Sequence, residues 1–99
     1  MAQRTTAVGQ PASLDQETLA RLREALLRLE QDELARLGEG AVDDARRELL
    51  DAVREALARV DAGTYGRCVA CGNLIEPARL DALPYAPRCL SCQRRLERA

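Results

Sequence analysis

Leucines recur at intervals of three and four residues early in the chain, at Leu19, Leu22, Leu26 and Leu29 and then less regularly at Leu34 and Leu37, with charged and small residues between them. That spacing lines one face of an α-helix. Ser13-Leu14-Asp15-Gln16 reads as a capping box ahead of it: the Ser13 hydroxyl accepts an amide hydrogen bond at the helix start, and Gln16 reaches back to the Ser13 N–H. Gly38 is suited to the left-handed turn that ends a helix. A second apolar stripe, Val42, Ala45, Leu49, Leu50, Val53, Leu57 and Val60, predicts a second helix that stops at Gly63. Residues 1–13 are small and polar, show no periodicity and are expected to form a disordered tail.

Four residues, Gly-Glu-Gly-Ala, separate the two stripes, so the helices should fold back antiparallel. In such a hairpin, facing residues have position numbers with a constant sum. A sum of 79 sets Leu37 against Val42, Leu34 against Ala45, Leu29 against Leu50, Leu26 against Val53, Leu22 against Leu57, and Leu19 against Val60. The same alignment places Arg36 opposite Asp43, Glu33 opposite Arg46, Asp32 opposite Arg47, and Arg28 opposite Asp51; Glu24 against Glu55 is the unfavourable pair. Exposed ion pairs contribute about 0–1 kcal/mol each, so the charges choose the alignment and the leucine seam supplies the stability. Glu17 with Arg21, Glu24 with Arg28 and Glu55 with Arg59 add i,i+4 support along the outer faces. The expected arm is an antiparallel coiled coil over 14–62: helix 14–37, tip 38–41, helix 42–62.

Composition shows what packing alone cannot do. The 99 residues include no histidine, phenylalanine or tryptophan and two tyrosines, which leaves little for a large compact core. All 15 basic residues are arginine and 16 acids nearly balance them, so no global positive field draws the chain to nucleic acid. The balance is uneven along the chain: residues 14–60 carry net −4 and residues 61–99 net +2, as two different modules would. No apolar run approaches a membrane span and the first residues lack a signal-peptide core, so a cytoplasmic location in a reducing compartment is expected, with no membrane contact. There, paired cysteines are more often metal ligands than disulfides.

All four cysteines fall within residues 68–92, as Cys68-x-x-Cys71 and Cys89-x-x-Cys92 with seventeen residues between the pairs. Two intervening residues let a tight turn aim both sulfurs at one point, and the excursion returns a second such turn to complete a tetrahedron. Zinc suits four thiolates, and once they hold it no position is left for water or substrate. One structural Zn²⁺ is therefore the expected cofactor and enzymatic activity is not expected. Such binding is worth on the order of 10–16 kcal/mol in small peptides, enough to replace a missing aromatic core. Gly72 permits the sharp path of a knuckle. Pro77 and Pro84 bracket a short helix, Tyr65 and Tyr85 are placed to cover the metal, and Cys92 sits near the start of a last helix. Arg67 and Arg88 are read as local neutralisation of the negative cluster, and Arg94, Arg95 and Arg98 as partner contacts on the terminal helix. Residues 63–99 thus make a small four-cysteine zinc finger with a C-terminal helix, in a mainly α chain.

These residues carry a family resemblance. Residues 62–93 resemble the C4 zinc finger of the DksA/TraR family of bacterial transcription regulators: the Gly63-Thr64-Tyr65-Gly66 lead into Cys68, the Ile75-x-x-x-Arg79-Leu80 helix, and Pro87 before the second pair. A two-helix arm ahead of the finger is similar to the family's architecture. The resemblance implies a protein that binds RNA polymerase at its secondary channel, its arm inserted and its acidic tip directed at the catalytic Mg²⁺, without sequence-specific reading of DNA. The family's tip pattern is Asp-x-x-Asp-x-Ala. Asp43, Asp44 and Ala45 are the tip residues here, with Asp43 in the place of the second aspartate, Ala45 in that of the alanine, and Gly40 where the first aspartate would stand. A monomer is the favoured state. Two other readings stay open from the residues alone: a nucleic-acid-binding zinc module using Arg94, Arg95 and Arg98, and a zinc- and thiol-based redox stress adaptor for another protein.

Overall fold

A computed structural model describes residues 14–37 and 44–98 of the chain. The expected tail, the tip over 38–41 and Asp43 lie outside the described residues. Among the described residues four helices follow one another: α1 Gln16–Leu37, α2 Asp44–Ala62, α3 Pro77–Ala82 and α4 Leu90–Arg98. At about 1.5 Å per residue, α1 spans roughly 33 Å. α1 and α2 pack against each other as the arm, and the finger is built on the end of α2.

The cap of α1 differs from the expected one. Asp15 occupies the N-cap: its Oδ1 accepts the Thr18 N–H at 2.7 Å, and its carbonyl accepts the Leu19 N–H at 2.9 Å, while Ser13 of the expected capping box lies outside the described residues. A carboxylate satisfies the orphan amide as a hydroxyl does and also answers the positive end of the helix dipole. The Thr18 amide bond holds the Asp15 carboxyl below its ordinary 3.8.

Near the tip the hairpin keeps the constant-sum alignment, with Glu33 against Arg46 as expected, although the buried positions are not all the expected leucines. Leu22 and Leu26 on α1 and Leu50, Val53 and Ala56 on α2 are buried, with Leu26 and Val53 fully so. Nearer the tip the inward position belongs to Glu33, which is 4% exposed, while Leu34 is 37% exposed and Ala45 is exposed. The seam there is held by the expected Glu33–Arg46 pair, with Glu33 Oε1 3.6 Å from Arg46 Nη1 and Glu33 Oε2 also 3.5 Å from Arg36 Nη1, and not by Leu34 and Ala45. The reason is periodicity. Alternating steps of three and four from Leu19 through Leu22, Leu26 and Leu29 arrive at position 33, one residue before the leucine. Among the described residues, neither Asp32 with Arg47 nor Arg28 with Asp51 forms an ion pair; the other cross-hairpin bridge runs from Arg54 Nε to Glu30 Oε2 at 3.1 Å. Arg21 pairs with Asp81 of α3 at 3.0 Å in place of its helix neighbour Glu17.

α2 ends in a Schellman turn. Gly63 adopts φ +80°, its N–H donates to Val60 O at 3.2 Å, and the Thr64 N–H donates to Arg59 O at 2.9 Å. Tyr65 N–H also donates to Arg59 O, at 3.1 Å, so the chain leaves the helix already tied to its last turn. A single core then crosses from arm to finger: Leu22, Leu26, Val53 and Ala56 form one buried cluster with Tyr65, Cys68, Ile75, Leu80, Cys89 and Cys92.

Candidate metal centre and its surroundings

Two knuckles bring the cysteines together. In the first, Cys68 N–H donates to Asn73 O at 2.8 Å and Ile75 N–H to Gly66 O at 2.8 Å, pairing the strands on either side of Cys71, while Gly72 N–H closes the turn onto Cys68 O at 2.9 Å. Gly72 makes that closure at φ +80°, a conformation costly to any residue with a Cβ. In the second, the turn after Cys89 runs directly into α4. Amides point at sulfur in both: Ala70 N–H to Cys68 Sγ at 3.4 Å and Cys92 N–H to Cys89 Sγ at 3.5 Å. The knuckles are held to each other by Val69 N–H donating to Pro87 O at 2.9 Å.

The four Sγ atoms all lie within 4.8 Å of one another, and Cys71 Sγ is 3.9 Å from Cys89 Sγ. A tetrahedron of sulfurs at 2.3 Å from zinc has edges of about 3.8 Å, so the donor set has the size of a zinc site. All four cysteines are free of disulfides; Cys68, Cys89 and Cys92 are buried and Cys71 faces solvent. Their acidities show why a cation belongs here. Burial pushes the Cys68 thiol up, but amide hydrogen bonds from Cys89, Cys71 and Ala70 outweigh it and bring it down to about 6. Cys92 moves the other way, to about 12, first because hydrogen bonding to Cys89 favours its protonated form, then through burial, with the Cys68 charge adding to both. The Cys68 thiolate forms readily and its charge discourages that of Cys92; a divalent ion removes the conflict.

Several side chains hold this frame, of which Glu76 is the one that sequence patterns do not single out. Tyr65, 6% exposed, donates its hydroxyl to Pro84 O at 2.7 Å, and burial raises its phenol to about 12. Glu76 Oε1 accepts the Leu90 N–H at 3.2 Å and so caps α4 from the residue before α3. Arg79 Nε donates to Arg88 O at 2.9 Å. Arg67 donates to Gly72 O at 2.9 Å within the first knuckle, and Arg88 is half-buried near the second. Tyr85 packs against the shared core, half-buried. Of the expected tip residues, Asp44 opens α2 and is exposed, as is Ala45; Asp43 and Gly40 fall outside the described residues. Arg94, Arg95 and Arg98 are exposed on α4. None of the described helices is long and apolar enough to cross a membrane.

Residues 63–98 match the model of the prokaryotic dksA/traR C4-type zinc finger, and the four converging cysteines lie within that span, positioned to bind one zinc ion. The chain is 39% identical over 62 residues to general stress protein 16O of Bacillus subtilis, an alignment covering 63% of this chain and 38% of that one. It is 42% identical over 55 residues to the RNA polymerase-binding transcription factor DksA of Caulobacter vibrioides, covering 56% and 39%. The chain thus spans about two fifths of the length of these curated relatives. Among solved structures, the RNA polymerase binding protein and transcriptional regulator Dks of Chlamydia trachomatis superposes with a TM-score of 0.75 at 27% identity, over 87% of this chain and 94% of that one.

Proposed function

We propose that this chain, whose residues 63–98 are a C4-type zinc finger of the prokaryotic dksA/traR family, is a cytoplasmic bacterial transcription regulator that binds RNA polymerase and is not an enzyme. In this proposal the arm enters the polymerase secondary channel, and the tip residues Asp43, Asp44 and Ala45 approach the catalytic centre. Arg94, Arg95 and Arg98 on α4 add contacts outside it. Zinc acts structurally: four thiolates complete its coordination, so its contribution is to fix the base from which the arm projects.

The joint between arm and finger is the observation that carries this. A slender hairpin can probe a deep channel only if its root is rigid, and here one buried cluster runs from Leu22 and Val53 into Tyr65, Cys68 and Leu80, with no linker between them. Likeness to the Chlamydia trachomatis regulator extends over arm and finger together, which supports the same use of the arm. The combined Asp43→Asn and Asp44→Asn variant tests the proposal. It should keep its zinc content and helicity and still be retained by purified polymerase, while its effect on transcription from a sensitive promoter is lost. Normal regulation by that variant would remove the tip from the mechanism, and failure of the zinc-loaded protein to bind polymerase would remove the proposal itself.

A further inference from the structure

A surface on the finger, away from the arm tip, has the composition of a docking site. Val69 is 55% exposed and Leu96 is 51% exposed, two large aliphatic side chains that the fold leaves in water. The Val69 amide is bonded to Pro87 O, which fixes the first knuckle beside the segment leading to Arg88. Starting one residue after Val69, a groove of about 250 Å³ is lined by Ala70, Arg88, Cys92, Arg95 and Leu96. Its walls come from both knuckles and from α4, so the metal site that holds the knuckles also holds the groove in shape.

Charge decides what fits. Among the described residues the ion pairs engage Arg21, Arg36, Arg46 and Arg54, and none engages Arg88 or Arg95. Two guanidinium groups therefore flank an apolar floor without carboxylates to answer them. The floor has room for one large aliphatic or aromatic side chain. Nucleic acid suits it less well: Ala70 and Leu96 break the run of charge a phosphate backbone would follow, and the groove has no aromatic face on which a base could stack. We infer that this groove docks a short acidic segment of a partner protein, seating one apolar anchor side chain against Ala70, Cys92 and Leu96 while its flanking carboxylates meet Arg88 and Arg95. Arginine's planar fork pairs with carboxylates in two parallel hydrogen bonds, and a buried anchor ringed by such contacts is the usual centre of a protein interface. This surface is independent of how the arm is used.

The test uses the zinc-loaded full chain and two fluorescent peptides with glutamates on both flanks, one with a Phe-Leu centre and one with a Ser-Ser centre, followed by anisotropy. The Phe-Leu peptide should bind, and the Ser-Ser peptide should bind about tenfold more weakly or worse, as should the Phe-Leu peptide to Leu96→Asp and to Arg95→Glu. Metal content and circular dichroism of both variants should match the parent, since both positions are exposed on α4. Asp44→Asn should leave peptide binding unchanged, which keeps this site separate from the arm tip. Equal affinity for the two peptides, no effect of Leu96→Asp, or no binding at all would overturn the inference. So would duplex DNA that displaces the Phe-Leu peptide with a steep salt dependence, which would assign the surface to phosphate instead.

Discussion

Tyr65 shows how a single side chain joins the parts of this molecule. Its ring belongs to the core shared by arm and finger, and its hydroxyl satisfies the Pro84 carbonyl nineteen residues on. Tyr65→Phe keeps the ring and orphans that carbonyl, a change expected to cost about 1–3 kcal/mol in denaturant unfolding. pH gives a second measure. Burial raises the folded phenol to about 12 from an ordinary 10.0, so the stability it confers is complete below pH 10 and is lost as pH climbs toward 12. In alkaline melts the parent should weaken more steeply than Tyr65→Phe across that interval. At this scale the cysteines were legible because a CxxC knuckle is a local object: two turns, each made by neighbouring residues. The Tyr65–Pro84, Glu76–Leu90 and Arg21–Asp81 contacts were not, since each joins groups that become neighbours only after the finger has folded.

For the arm, sequence pattern predicted two helices, their antiparallel pairing and the alignment of Leu26 with Val53. It also set Glu33 opposite Arg46, a pair the structure forms, but took Leu34 as the inward residue where Glu33 is the buried one. Glu33 is buried where the three-four spacing requires an inward side chain, and it holds Arg36 and Arg46 at 3.5 and 3.6 Å. A buried carboxylate that pairs across helices fixes alignment at some cost in stability. Glu33→Leu should therefore melt at the same temperature as the parent or higher, yet show faster amide exchange in the last turns of α1 as the register there loosens. Glu33→Ala should instead lose about 1 kcal/mol, a small figure because both arginines stay partly solvated and need little compensation. Slower exchange in Glu33→Leu than in the parent would assign the residue no role in alignment. The burial of Glu33 follows from step length, since the three-four spacing from Leu19 reaches position 33 and not Leu34.

Across the whole molecule, zinc and the hydrophobic core act on the same residues. Cys68, Cys89 and Cys92 are at once metal ligands in position and members of the cluster that includes Leu22, Leu26, Val53 and Ala56. Chelation should therefore do more than unfold the finger. Site formation is worth on the order of 10–16 kcal/mol in small zinc peptides, so its loss should abolish protection in α3 and α4 and also speed amide exchange at the base of α1 and α2, leaving a frayed hairpin. Hydrogen exchange with and without chelator measures this directly, and an unchanged arm base would show that the two parts are independent. Because Gly63 turns α2 into the first knuckle with no slack, one residue inserted ahead of it would swing the far end of the hairpin about 100° around the helix axis. Matched heptads added to both helices at their distal ends would only extend them. Reach and aim are thus set at opposite ends, and a lineage could tune the depth of the probe without redirecting it.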